Sequence, residues 1–273
     1  MSPLTSVAAD FDLASIDPGS TPGMESKKLA EAALEANQEE LAELQERLYA
    51  ESRFGGTRSV LLVLQAMDTA GKGGIIRHVV GGIDPQGVHI KAFKAPTDEE
   101  KKHDFLWRVR PALPSPGIIG VFDRSHYEAV LIHRVRELST PEAIEERYGI
   151  ITDFETELAA ADTTMIKVML HISSDEQKAR LGERLARPDK NWKFNPGDID
   201  ERMLWPKYQE AYQIAISRTS TPVAPWFVVP ANNKWYARWA VQSLLLDALR
   251  GLDPQWPAAT FDVAAQQARL AAT

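Results

Sequence analysis

Val60-Leu61-Leu62-Val63-Leu64-Gln65-Ala66 is a run of apolar and β-branched residues that stops at Met67-Asp68-Thr69-Ala70-Gly71-Lys72-Gly73-Gly74. A helical pattern follows from Ile75. No other feature constrains the fold as strongly, because this order commits the chain to a buried strand, a small-residue turn and a helix. The same order builds a phosphate cradle. Backbone N–H groups line the loop, the helix N-terminus adds partial positive charge, and the lysine reaches the outer phosphates. The usual pattern has Gly first and Ser or Thr after the lysine, and here Ala66 and Gly73 stand in those places. Loss of the hydroxyl removes a magnesium ligand. A carboxylate aimed at phosphates is repulsive unless a metal lies between them, so Asp68 is read as the replacement ligand. Ala70, Gly71, Gly73 and Gly74 are read as phosphate-binding backbone.

A second segment completes the reading. Gly117-Ile118-Ile119-Gly120-Val121-Phe122-Asp123-Arg124-Ser125-His126-Tyr127-Glu128 is a buried strand ending in an aspartate. In phosphate-loop proteins that position binds magnesium opposite the cradle, so Asp68 and Asp123 are expected to share one or two ions. The alternative makes Asp123 the N-cap of the next helix. Arg124 has the planar fork that suits a transferring phosphoryl group. Arg180, Arg184 and Arg187 recur at helical spacing. They either face phosphates or form a solvated surface with pairs such as Glu176–Arg180 and Glu183–Arg187. Arg184 lacks an obvious local partner and is the preferred phosphate ligand of the three. The six histidines show no metal-ligand spacing, and none is needed as a base if the attacking oxygen is a nucleotide phosphate, already anionic.

Strand-like runs near 60–66, 88–93, 117–122, 165–172 and 225–229 alternate with helical patterns. This predicts an α/β fold, a parallel sheet with helices on both faces. Residues 1–26 read as a mobile, disordered tail, and residues 27–51 as a helix whose Leu34, Leu41, Leu44 and Leu48 either dock on the domain or form a coiled-coil seam. Residues 27–250 read as one domain, with residues 188–200 as a lid over the phosphates and 251–273 as a C-terminal tail.

The 273 residues carry a net charge of −7, divided unevenly. Residues 1–51 hold −8, and residues 178–193 hold +4. An acidic protein with one basic stripe suits a polyanionic substrate in a groove and disfavours nucleic acid. There is no cysteine, no basic leader segment and no apolar run of the roughly 20 residues that span a bilayer, so no membrane role and a cytoplasmic location are expected.

The segments Met67 to Gly74, His103-Asp104-Phe105-Leu106-Trp107-Arg108, Phe122 to Glu128, and Pro225-Trp226-Phe227-Val228-Val229-Pro230-Ala231 with Lys234 and Arg238 together resemble the second family of polyphosphate kinases. The resemblance spans roughly residues 27–250. It implies a P-loop kinase-like fold with a helical lid, dependence on Mg2+ (with Mn2+ able to substitute), and phosphoryl exchange between inorganic polyphosphate and adenine nucleotides. Asp68, Lys72, Asp123 and Arg124 fall on the family's Walker-type positions, and Arg184 and Lys190 fall in its lid. The chain looks most like members that use AMP, ADP or both, as a homo-oligomer. An ordinary ATP-dependent nucleoside or nucleotide kinase is the alternative within enzymes. A nucleotide-binding switch without turnover is the alternative outside them.

Overall fold

Strand β1 (Ser59–Ala66) lies at the centre of the molecule, and every one of its residues is buried. In this computed structural model, which describes residues 4–7 and 11–273, β1 is flanked on one side by β3 (Ile119–Asp123) and on the other by β4 (Thr163–His171). Strands β2 (Val88–Ala92) and β5 (Trp226–Pro230) form the edges. The order β2-β3-β1-β4-β5 is parallel throughout, as the alternating pattern predicts.

Because side chains alternate across a strand, β1 serves two cores. Val60, Leu62 and Leu64 pack with Leu41, Leu44 and Leu48 of α1 (Lys27–Ser52) and with the buried face of α8 (Lys234–Leu252). Leu61 and Val63 pack on the opposite face with α4 (Pro141–Ala160) and α7 (Trp205–Thr219). The leucines of α1 therefore dock on their own domain. Three shorter helices occupy the carboxyl end of the sheet: α2 (Lys72–His78), α3 (Ile132–Val135) and α5 (Ser174–Ala186). Helix α6 (Gly197–Met203) begins inside residues 188–200, the segment expected to act as a lid, and extends three residues past it. Helix α9 (Val263–Ala271) contributes no buried residue. No helix of the described residues is long and apolar enough to cross a membrane.

The N-terminal segment departs from expectation. Of the predicted tail, residues 1–3 and 8–10 lie outside the described residues, and those from Phe11 onward are docked. Gln213 of α7 donates to the Phe11 carbonyl (2.7 Å) and accepts from the Leu13 N–H (2.7 Å). Asn233 donates to the Gly19 carbonyl (3.0 Å), Tyr236 to that of Pro22 (3.0 Å), and the Asn232 N–H to that of Pro18 (3.0 Å). Leu13 is 3% exposed. The segment lacks periodicity because its main-chain carbonyls do most of the bonding, and one leucine anchors it. Leu13→Ala is therefore expected to lower stability in urea denaturation by about 2–3 kcal/mol, the lower range for a buried leucine. An unchanged midpoint would show that the segment is free.

Candidate active site

The turn from β1 into α2 requires left-handed backbone at Thr69 (φ 66°) and Gly71 (φ 123°). Glycine adopts this without steric penalty, whereas Thr69 must be held there. A Cβ placed on Gly71 or Gly73 would meet no atom within 4 Å, so the loop opens onto free space. The first-turn N–H groups of Lys72 and Gly73 have no acceptor within the helix, and both residues line the cavity above the loop.

Arg180 holds this loop from behind. Its Nε donates to Glu176 (2.7 Å), Nη1 to the carbonyls of Thr69 (3.0 Å) and Ala70 (2.9 Å), and Nη2 to those of Ala231 (2.7 Å) and Asn232 (2.9 Å). A guanidinium has five N–H donors, and all five are engaged. The expectation that Arg180 binds phosphate is thereby corrected: the side chain braces the loop that would bind it.

Asp123 ends β3 and pairs in register with Leu64 of β1. The next helical turn is capped by Ser125, whose hydroxyl accepts from the Tyr127 N–H (3.1 Å), so Asp123 is not the cap. Its Oδ1 faces Lys72 Nζ at 3.9 Å. Burial lowers the Lys72 pKa, while Asp123 and Asp68 pull it back. Arg124, itself left-handed (φ 64°), places Nη2 3.1 Å from Asp68 Oδ1 and Nη1 3.8 Å from Glu128 Oε2. Burial opposes its charge, but Glu128 and Asp68 together outweigh that and raise its pKa. Burial pushes the Glu128 carboxyl upward, against Arg124 and Lys72.

Two cavities meet at these groups. One, about 500 Å3, runs over the phosphate loop and is lined by Lys72, Arg184, Lys190, Lys193, Lys234 and Arg238 among others. The other, about 230 Å3, is lined by Leu131, Ile132, Tyr208 and Tyr212 together with Arg124, Glu128, Asp198 and Glu201. Asp68 borders both. The segment between α5 and α7 also borders both, through Lys190 and Lys193 on one side and Asn195 and Asp198 on the other. Arg184 does have a partner across that segment: Nη1 donates to the Lys193 carbonyl (3.1 Å) and to Asp198 Oδ2 (3.3 Å). Lys190 Nζ lies 2.5 Å from Glu183 Oε1, and Arg187 pairs with Glu183 and Asp189 at the surface. No group of three His, Cys, Asp or Glu that could hold a metal converges among the described residues. The donor set that fits a metal is the pair Asp68 and Asp123, both lining the larger cavity; magnesium commonly takes one or two carboxylates and fills its octahedron with substrate phosphate oxygens and water.

The sequence model of the Polyphosphate kinase 2 (PPK2) family matches residues 24–257. The chain belongs to that family. It is 48% identical over 248 residues to the AMP/ADP-polyphosphate phosphotransferase of Meiothermus ruber, covering 90% of this chain and 91% of the relative. It is 42% identical to the ADP-polyphosphate phosphotransferase of Rhodopseudomonas palustris, covering 88% and 86%. The crystal structure of Polyphosphate Kinase 2 from Arthrobacter aurescens TC1 superposes with a TM-score of 0.96 at 57% identity, covering 98% of this chain and 95% of that one.

Sequence reasoning missed Glu128, Tyr208 and Tyr212, and it missed the buried support beneath Arg124 in this polyphosphate kinase fold. Lys167 of β4 and Glu155 of α4 are fully buried and 2.5 Å apart. Lys167 also donates to the Tyr127 hydroxyl (2.9 Å) and the Thr219 carbonyl (2.8 Å), using all three of its protons. Glu155 in turn lies 2.7 Å from the Tyr127 hydroxyl and 3.3 Å from His126 Nε2. Burial lowers the Lys167 pKa to about 8, with Glu155 opposing. The network fixes the two residues just beyond Ser125, which itself accepts from Gln65 (3.0 Å). The signal was a lysine inside the otherwise apolar run Met165 to Leu170. Lys167→Met should cost about 3–5 kcal/mol, because it strands a buried carboxylate. Lys167→Met combined with Glu155→Gln should recover part of that loss in urea denaturation. Equal losses in the single and double variants would show that the charge pair does not carry the effect.

Proposed function

We propose that the protein transfers the terminal phosphoryl group of inorganic polyphosphate to AMP or ADP, reversibly. The observation that carries this reading is the pair of cavities with Asp68 in their common wall. The larger cavity is lined mostly by basic side chains, which suits a polyanion. The smaller has aromatic and aliphatic residues in its lining together with Arg124, which suits a nucleoside whose phosphate meets that arginine. Terminal phosphate of one and acceptor phosphate of the other then meet beside Lys72, Asp123 and Arg124.

Little covalent work falls to the protein in such a transfer. The acceptor oxygen is already anionic, so no side chain has to remove a proton, and rate comes from alignment and charge balance. Lys72 and the loop N–H groups hold the donor's end, Arg124 holds the phosphoryl group in flight or the acceptor phosphate, and Arg184 and Lys190 hold the donor chain. Residues 188–200 act as a lid that excludes water, which would otherwise hydrolyse the donor. Asp68 and Asp123 would hold magnesium, whose charge would offset that of the phosphates. An ATP-dependent kinase would not need basic side chains continuing along the cavity beyond the phosphate loop.

Polyphosphate or ATP as sole donor, crossed with AMP, ADP and adenosine as acceptors, tests this directly. ATP and ADP should form from polyphosphate. Asp68→Asn and Asp123→Asn should each lower kcat by about a thousandfold, equivalent to about 4 kcal/mol, with unfolding midpoints unchanged. Activity confined to ATP as donor, or near-normal rates with either asparagine, would contradict the reading.

A further inference from the structure

Asn232 and the docked residues 11–22 line neither cavity, yet an unbroken run of hydrogen bonds joins them to the phosphate loop. Asn232 sits in the connection between β5 and α8. Its N–H donates to the Pro18 carbonyl (3.0 Å), and its own carbonyl accepts from Arg180 Nη2 (2.9 Å). Its side chain clamps Ser173: Oδ1 accepts from the Ser173 N–H (2.9 Å), and Nδ2 donates to the Ser173 hydroxyl oxygen (3.2 Å). Ser173 is the N-cap of α5, where the same hydroxyl accepts from the Glu176 N–H (3.2 Å). One asparagine thus ties together the N-terminal segment, the start of α5 and the guanidinium behind the loop.

What α5 carries gives that junction its consequence. Arg180 bonds the carbonyls of Thr69 and Ala70, and Gln177 Nε2 donates to the Asp68 carbonyl (3.2 Å), so three consecutive loop residues hang on this one helix. Thr69 is left-handed, a conformation that a β-branched residue keeps only where its neighbours hold it. The N-terminal segment grips the connection at further points. Asn233 Nδ2 donates to the Gly19 carbonyl (3.0 Å) and the Tyr236 hydroxyl to that of Pro22 (3.0 Å). Asp17 closes the turn that presents these carbonyls: Oδ1 accepts from the Gly19 N–H (2.8 Å), and its carbonyl accepts from the Ser20 hydroxyl (2.7 Å). A Cβ on Gly19 would lie 3.9 Å from Asn232 Nδ2, so the turn also packs on the clamp itself. Asn232 is held from two directions, and neither α5 nor the loop can shift without breaking one of them.

We propose that Asn232 is a positioning residue and residues 11–22 a strap, which together fix the phosphate loop through α5 and Arg180 and so raise the rate of transfer without touching either substrate. A displacement of about 1 Å in groups that align a reaction can lower its rate by about a hundredfold. The inference rests on the transfer reaction proposed above for its kinetics, but not for the loop order it predicts. A merely structural role would lower the unfolding midpoint and leave kcat of the folded protein unchanged.

The test uses Asn232→Ala, Asn232→Asp and the pair Asn233→Ala/Tyr236→Phe in the full chain, at a temperature where circular dichroism shows each to be folded. With polyphosphate saturating, Asn232→Ala is expected to lower kcat about tenfold while the ADP KM stays within about twofold. Asn232→Asp keeps an oxygen for the Ser173 N–H and can accept from the Ser173 hydroxyl, so it should return kcat to within about twofold of wild type. The pair leaves the Asn232 clamp intact and frees the strap at Gly19 and Pro22, for an expected loss of about threefold. Hydrogen exchange over residues 67–76, followed by mass spectrometry without substrate, should quicken in Asn232→Ala and in the pair. Should Asn232→Ala not fold, the pair carries the same comparison. Wild-type kcat in either, or a fall in kcat with unchanged loop exchange, overturns the proposal. If wild type transfers nothing from polyphosphate, the reaction assignment fails, and loop exchange alone decides: wild-type exchange in both variants then sinks the positioning role too.

Discussion

Two carboxylates, Asp68 and Asp123, stand in a cavity whose ligand is an anion, and the arrangement around them answers that conflict. Two unit charges about 4 Å apart near a protein surface interact by about 4 kcal/mol. Arg124 at 3.1 Å from Asp68 and Lys72 at 3.9 Å from Asp123 therefore offset each carboxylate by roughly what it would cost an approaching phosphate. Net attraction for the donor must come from elsewhere. On the proposed reading Arg184, Lys190, Lys193 and Lys234 around the larger cavity, which outnumber their partners Glu183 and Asp198, would supply it.

Such a balance works only if the charges stay where they are, and two supports keep them there. Arg180 spends all five N–H donors on one carboxylate and four carbonyls, tying the phosphate loop at Thr69 and Ala70 to the β5–α8 connection at Ala231 and Asn232. The docked N-terminal segment bonds to that same connection at Asn232 and Asn233. Under Arg124, the Lys167–Glu155 pair fixes His126 and Tyr127, while Gln65 fixes Ser125. The strained backbone at Thr69 and at Arg124 is thus each over-determined by neighbours, which is what lets left-handed conformations persist at a site.

The parts of this structure legible in the sequence share a physical cause. Strand β1, the glycines of the loop, Lys72 and Asp123 are read from local order, because a buried strand running into a phosphate loop has few alternatives. The five strands and the docking of α1 follow from periodicity. Arg180 shows the limit. Its i,i+4 partner Glu176 is visible in the sequence, but its four carbonyl partners lie 51 to 111 residues away and carry no side-chain signature. The N-terminal segment was hidden for the same reason, since Phe11, Pro18, Gly19 and Pro22 bond through main-chain oxygens. Tyr208 and Tyr212, four apart on α7, read as ordinary core stripe, and only the fold shows that they also wall the smaller cavity.

The central claim is that donor and acceptor meet across the Asp68 wall, so the phosphoryl group passes directly between them. His126 and Tyr127 are buried, so neither offers an accessible nucleophile beside Arg124. Rapid-quench single turnover with 32P-labelled polyphosphate and ADP measures this most directly. Label should move from polyphosphate to ATP with one rate constant and no labelled protein at any time. A phosphorylated protein that forms and decays fast enough to lie on the path would contradict the account.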